Sequence, residues 1–476
     1  MLAHHAMTLL ATLLLLAGIA NLVLASAAIG LNALQCLRRR RGDQIAGGGL
    51  GFAAETRPFV SVHVATHNEP ADMVMATLDA LAAMDYPAFE VLLIDNNTAD
   101  PAMWRPVKDH IARLGARFRF FHREGVVGAK AGALNIGLAV CNPETRYVAV
   151  VDADYQVTPD FLTSAMLAFS DDIQFVQFPQ AYRNSQQAKP VVAELSDYFR
   201  TFPSAANRSG ASLLTGTLSV IAIDALRSVG GWPTASITED AQLGVALWKA
   251  GARGLYVDKV VGRGLLPLDL AGLRIQRNRW VTGNIQTLLG TLRDWRSLQQ
   301  RKGKVAVAAQ LTAWSGFLAI PLVLLSTVIV IRFVAPELYD AVSSLWLWSQ
   351  WIATQTLLIS LGGLVMRALA NSSPATLAVM LSLLWTSSFG WLSALTGRRL
   401  TFHRTPKAGS RDARRFSVDV IASWLALGLG VSFWISGSPL TAAALILAAS
   451  GLVTGPVVNL CLRRAARQPE ALSCPA

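Results

Sequence analysis

Five stretches of this chain carry no charged residue, and each exceeds the ~20 residues that a helix needs to cross a bilayer. They run over 7–34, 305–331, 341–366, 368–397 and 420–462. The last is long enough for two crossings, broken at Ser436-Gly437-Ser438-Pro439. The first is not read as a cleaved signal peptide, because the opening MLAHHA lacks a basic region and the run outlasts an ordinary signal core. A chain built this way is a set of membrane helices with at most one substantial polar domain, over about 55–300, where nearly all the acidic residues fall.

A net charge of +12 is compatible with a nucleic-acid partner, but the basic residues cluster where the apolar runs end. Arg38 to Arg41, Arg398 to Arg415, and Arg463, Arg464 and Arg467 form the positive-inside pattern, so no nucleic-acid partner is expected. Arg38 to Arg41 put the polar domain in the cytosol, in a cytoplasmic (inner) membrane. If 375–396 crossed, the run from Arg398 to Arg415 would lie outside. That segment therefore reads as interfacial or re-entrant; Ser382, Thr386, Ser393 and Thr396 share one face of about 80°. Five crossings result. Cys36, Cys141, Cys461 and Cys474 have unrelated spacings and form no metal or disulfide framework.

Between the apolar runs, strand-like segments at 59–66, 90–96, 117–122, 147–152 and 175–178 alternate with helical ones at 72–84, 130–141 and 161–169. This predicts an α/β domain with a mostly parallel sheet, whose ligands sit beyond the C-terminal strand ends. Three strands end in polar residues: Thr66-His67-Asn68-Glu69-Pro70, Asp95-Asn96-Asn97 and Asp152-Ala153-Asp154. A lone Asp-x-Asp says little. Two carboxylates directly after a buried strand suit a hard divalent cation shared with a diphosphate. No His/Cys cluster suggests zinc, His63 reads as packed within its strand, and no Gly-x-Gly-x-x-Gly or Walker loop is present. Thr238-Glu239-Asp240 opens a Leu- and Ala-rich helix and by itself is equally well a cap with acidic first-turn residues. Leu273 to Leu289 reads as an amphipathic helix near the membrane, containing Gln276-Arg277-Asn278-Arg279-Trp280.

Taken in order, Asp95, Asp152-Ala153-Asp154, Thr238-Glu239-Asp240 and Gln276-x-x-Arg279-Trp280 resemble the D, DxD, TED and QxxRW signature of processive family-2 glycosyltransferases. That family includes cellulose, hyaluronan, curdlan and glucomannan synthases. Phe402-His403-Arg404-Thr405-Pro406-Lys407 resembles their gating loop, F-x-V-T-x-K. The resemblance implies a GT-A fold, a hexosyltransferase working by single-displacement inverting chemistry, and a UDP-sugar donor. Asp95 and the turn of Thr66, His67, Asn68 and Glu69 would hold the uridine, with Lys130 also on the nucleotide sugar. Asp152 and Asp154 would bind Mg2+ or Mn2+, and Asp152 the donor. Asp240 would be the general base, supported by Glu239. Arg279 would face the diphosphate, with Gln276 and Trp280 at the acceptor. Phe402, Arg404, Thr405 and Lys407 would form the gate.

Several positions depart from the pattern. Asn96 replaces a second carboxylate, His67 stands where many relatives carry Tyr, Arg404 replaces valine, and Ala408 precedes Gly409. The tail ends within 14 residues of Leu462, so no appended domain for a cyclic dinucleotide is expected. The expected layout is a transmembrane helix at 1–36, the GT-A domain with its interfacial helix at 55–300, and two transmembrane helices at 305–366. An interfacial or re-entrant helix at 374–397, a basic gating-like loop at 398–416, two transmembrane helices at 418–462 and a cytosolic tail at 463–476 follow.

The leading expectation is elongation and extrusion of a polysaccharide, a β-glucan made from UDP-glucose, with GDP-mannose the second donor. The partners are then the nucleotide sugar, the growing glycan and the lipid bilayer. The competing expectation is glycosylation of a membrane lipid, as in ceramide glucosyltransferase-like enzymes. Trp314, Trp346, Trp348, Trp351, Trp424 and Trp434 in the apolar runs suit passing sugar rings, although tryptophan also favours membrane interfaces. An inactive scaffold or ion carrier fits poorly, given Asp152, Asp154, Asp240 and Arg279 and spans without internal charge.

Overall fold

The computed structural model describes residues 2–40, 57–295, 303–334, 336, 344–395, 414–435 and 437–466. Short runs of Val, Ile and Leu bounded by turns make the strands. They are β1 (Val60–Thr66), β2 (Phe89–Asn96), β3 (Phe118–Arg123), β4 (Tyr147–Val150), β5 (Gln156–Val157), β6 (Phe175–Gln177), β7 (Ala181–Tyr182), β8 (Ser219–Ala222), β9 (Gly254–Tyr256) and β10 (Gly262–Gly264). Seven form one sheet in the order β3-β2-β1-β4-β8-β6-β9, and three form a small second sheet, β5-β10-β7. The first four are mutually parallel, while β8 runs antiparallel to both β4 and β6. Every residue of β2 is buried, as expected of a strand covered on both faces.

The covering helices include Ala71–Ala82, Pro101–Leu114, Ala129–Val140 and Phe161–Ala168. Leu78, Leu81, Phe161, Phe169, Phe175 and Phe178 are fully buried between these layers. The helix Pro101–Leu114 is absent from the sequence reading because Pro106 interrupts a polar stretch. Its start was nevertheless written in the chain. The Asp100 carboxylate accepts the Ala102 N–H at 2.9 Å, and Pro101 occupies the first helical position.

Among the described residues three helices are long and apolar enough to cross a bilayer, Leu15–Arg38, Leu347–Ala370 and Pro439–Ala466. The helices Pro374–Ser382 and Leu384–Leu395 meet at a 51° bend and make a fourth if they are one span. The chain is thus of the multi-pass membrane type. One apolar run behaves differently from its sequence. Where 305–331 reads as a single crossing, the structure has Lys304–Thr312, an irregular stretch, and then Ala319–Val334. The first piece packs on the α/β domain through Ala306, Val307 and Leu311 against Leu213, Val245 and Trp248. Gln310 secures it, accepting the Leu213 N–H and donating to the Ala211 carbonyl, both at 2.9 Å. The second piece is described over 16 residues, Ala319–Val334.

Candidate active site

The parallel register aligns Thr66 with Asp95 and Asp95 with His122, so three strand ends stand side by side. Asp95 is only 3% exposed, and its carboxylate is held from within the domain. The hydroxyls of Thr66 and Thr98 donate to Oδ1 at 3.0 and 2.7 Å, and His122 Nδ1 lies 2.7 Å from Oδ2. Trp104 stacks on His122 at 4.5 Å. In front of this row, His67 Nδ1 donates to the Asn96 carbonyl at 2.7 Å and the Asn68 amide meets His67 Nε2 at 3.0 Å. The side chain of Asn96 donates to the Thr66 carbonyl at 2.8 Å, a bond a second carboxylate there could not make. His63, fully buried in β1, has its pKa lowered to about 3 by burial, as a packed histidine should.

These strand ends open onto a cavity of about 310 Å3. Glu69, Asp152, Asp154, Glu239 and Asp240 line it, against the cations Lys130 and Arg279. With five carboxylates to two cations, an anionic nucleotide diphosphate entering alone meets net repulsion. Asp152 is the more open of its pair, with 36% of its side chain exposed. Its Oδ1 accepts from Lys130, whose ammonium also donates to the Gly216 carbonyl at 2.6 Å and lies 3.8 Å from Glu239. Burial alone would lower the Lys130 pKa; Asp152, Glu239 and Asp240 more than reverse this and raise it. Asp154 is 7% exposed, and its Oδ2 accepts the Leu265 N–H at 2.9 Å. Among the described residues no three His, Cys, Asp or Glu side chains are gathered as a metal site. Two carboxylate ligands nevertheless fit a hard divalent cation that takes its other oxygens from a diphosphate and water.

Asp240 enters from the start of the helix Glu239–Lys249. Gly216, with φ +89°, makes room for it; a Cβ there would lie 2.9 Å from Asp240 Oδ2. Gly283 plays the same part on the other side, since its Cβ would come within 2.3 Å of Thr238 Oγ1. Burial first, and then the Glu239 charge, push the Asp240 carboxyl up to about 7, despite Lys130 and Arg279 pulling it down. A carboxyl at that value can accept a proton near neutral pH.

Gln276, Arg279 and Trp280 reach the cavity from the helix Leu270–Leu292. That helix is docked by Arg277, which the sequence reading passed over. Arg277 is 5% exposed, pairs with both oxygens of Glu194 at 2.9 and 2.7 Å, and lies 4.1 Å from the Trp314 ring centre. Trp314 in turn packs 5.0 Å from Trp280 and stacks on Tyr198 at 4.4 Å. Replacing Glu194 by alanine strands a buried guanidinium, so Glu194→Ala is expected to cost about 3–5 kcal/mol. A large fall in the thermal midpoint of the solubilised protein checks this, and an unchanged midpoint contradicts it.

The structure therefore brings His67, Glu69, Lys130, Asp152, Asp154, Glu239, Asp240, Gln276, Arg279 and Trp280 to one cavity. Thr66 and Asp95 stand behind it as supports, and Asn68 braces His67. Phe402, Arg404, Thr405 and Lys407 lie outside the described residues. Asn97, from the polar end of the second strand, also lines the cavity, as do Gln180, Thr215 and Gly216, which were not expected. The one sequence signal among them was Gly216 within a Thr-Gly-Thr turn.

Residues 57–283 match the family described as Glycosyltransferase like family 2. The cellulose synthase catalytic subunit [UDP-forming] of Xanthomonas axonopodis pv. citri (strain 306) is 30% identical over 240 residues, 48% of this chain and 32% of that protein. Glucomannan 4-beta-mannosyltransferase 1 of Oryza sativa subsp. japonica is 28% identical over 273 residues, 54% of this chain and 52% of that one. The chain thus spans about a third to a half of the length of these curated relatives. A Pyrobaculum calidifontis mannosyltransferase, solved in complex with GDP-Man and Mn2+, shares the fold with a TM-score of 0.52 at 22% identity, covering 77% of this chain and 98% of that one. The sheet is accordingly of the GT-A type, and residues 57–283 are a family-2 glycosyltransferase domain related to cellulose synthase and the glucomannan mannosyltransferases.

Proposed function

We propose that this chain is a membrane-embedded, inverting hexosyltransferase that elongates a polysaccharide from a nucleotide sugar and passes the product into its own helices. The observation that carries this reading is a continuous aromatic path. Trp280 lines the catalytic cavity and packs on Trp314, and Trp314 stacks on Tyr198. Trp314 and Tyr198 also line a second cavity, of about 290 Å3, walled by Ala25, Ile29, Ile359 and Gly363 of the apolar helices. Flat aromatic faces suit the apolar faces of sugar rings, and a chain leaving Trp280 would follow them.

In this mechanism the acceptor hydroxyl attacks the anomeric carbon as the bond to the diphosphate breaks. The hydroxyl proton passes to the Asp240 carboxylate, and Glu239 keeps that carboxylate basic by its own charge. Arg279 stabilises the negative charge that develops on the leaving diphosphate. A divalent cation, Mg2+ or Mn2+, held by Asp152 and Asp154, would neutralise that charge further. His67, Glu69, Asn96 and Asn97 would receive the nucleoside, with Asp95 fixing the strand ends behind them. UDP-glucose is the preferred donor in this reading, the product a β-glucan, and the catalytic domain faces the cytosol of a cytoplasmic membrane. GDP-mannose stands second, since glucomannan mannosyltransferases are among the relatives.

The apolar walls of the second cavity favour one other reading, a transferase that glycosylates a membrane lipid. Both readings share the donor chemistry and differ at the acceptor. Purified protein in lipid, supplied with Mn2+ and labelled UDP-glucose or GDP-mannose, should release nucleotide and incorporate label from UDP-glucose. Trp280→Ala should then reduce elongation more than donor hydrolysis. Equal loss of both would remove Trp280 from the acceptor site, and release from neither donor would sink the hexosyltransferase reading.

A further inference from the structure

Resting on the reading of Asp152 and Asp154 as cation ligands, we propose that Lys130 is a resident counter-cation. It pairs with Asp152 and admits a divalent cation to that carboxylate only together with a nucleotide diphosphate. One ammonium joins three separate segments: Asp152 after β4, the Gly216 carbonyl in the loop before β8, and Glu239 at the start of its helix, 3.8 Å away. Gly216 itself sits beside Asp240. Lys130 follows Ala129, which has φ +48°, a left-handed conformation that a residue with a Cβ adopts at a cost. The backbone is thus bent to deliver this side chain, only 20% exposed, into the carboxylates.

The charges make the arrangement competitive. A divalent cation on Asp152 and an ammonium on the same carboxylate are like charges within a few ångströms, so either one weakens the other. Besides Asp152 the ammonium already faces Glu239 and Asp240, and leaving Asp152 calls for a further anion. A diphosphate supplies that anion. Lys130 then leaves Asp152 without becoming an unpaired buried charge, and the carboxylate is freed for the cation. Cation and nucleotide accordingly bind as a coupled pair, each raising the affinity of the other.

The test is titration of Mn2+ alone, with free Mn2+ read by electron paramagnetic resonance, into wild type, K130M, K130R and the double variant K130M/D152N. K130M is expected to bind Mn2+ at least about tenfold more tightly than wild type, the scale on which one nearby charge moves an ionic equilibrium. K130R, which keeps the charge, should resemble wild type, and D152N in the double variant should abolish the gain. With UDP or GDP added, the mutual enhancement of Mn2+ and nucleotide should shrink in K130M by at least about fivefold. Thermal midpoints of all four proteins establish that they are folded, and K130Q replaces K130M if the latter is not. Mn2+ binding by K130M no tighter than by wild type overturns the counter-cation role while leaving the cation site standing. Absence of Mn2+ binding in every protein, with and without nucleotide, overturns both together.

Discussion

Asp240→Asn is expected to retain donor binding while the transfer rate falls by at least ~10²-fold, the usual scale for loss of an acid–base group. The isosteric amide keeps the space beside Gly216 but cannot accept the acceptor's proton. Wild-type kcat/KM should also fall about tenfold per pH unit below the Asp240 pKa, which stands at about 7, because only the ionised carboxylate is a base. The same shift has a consequence for stability. A carboxyl raised in the folded state, against about 3.9 unfolded, contributes stability that is fully present below pH ~4 and is lost as pH rises through about 7. At pH 8 the ionised Asp240 is therefore a cost to the fold. Asp240→Asn should have a thermal midpoint equal to or above wild type there, while being nearly inactive. Near-normal turnover, or a rate indifferent to pH between 5 and 8, would remove Asp240 from the role of base.

Asp154→Asn and Asp152→Asn should each abolish the metal-dependent part of nucleotide binding. Partners that merely orient a metal ligand already matter by about 10–100-fold in affinity, so loss of a ligand itself should reach at least about 10²-fold. The imbalance of carboxylates over cations in the cavity gives the direction independently, because the diphosphate needs positive charge that Lys130 and Arg279 do not fully supply. Calorimetry with UDP and with GDP, each with and without Mn2+, measures the effect. The asparagine at 154 keeps an oxygen for the Leu265 N–H, so the local fold is spared. Wild-type activity untouched by EDTA, or equal nucleotide affinity with and without Mn2+, would contradict the metal reading.

What was legible in the chain followed from local periodicity. The buried octet of β2 and the carboxylates after β4 announced both the sheet and the edge onto which the cavity opens, because strand ends in a parallel sheet converge whatever lies between them. What was hidden depended on partners far away in sequence. Asp95 was expected on the nucleotide, yet the register sets it between Thr66 and His122, which with Thr98 hold its carboxylate. Arg277 is bound to a glutamate 83 positions earlier, and nothing near either residue signals the pair. The proximity of Gly216 to Asp240, which shapes that carboxyl's surroundings, likewise exists only after folding. Hydropathy failed once, and for a definite reason. Residues 304–312 are apolar because they cover the α/β domain at Trp248, and burial in protein and burial in lipid select the same side chains.

The size of the labelled product tests the central claim most directly. Purified protein in lipid vesicles, given metal and a radiolabelled nucleotide sugar as sole substrate, is resolved by size-exclusion chromatography and by solvent extraction. A chain passing from Trp280 to Trp314 and Tyr198 predicts label in material of high molecular weight that a glycan-specific hydrolase degrades. Label found entirely in the organic phase, as a lipid carrying one sugar, would contradict the polymerase account and leave the lipid transferase in its place.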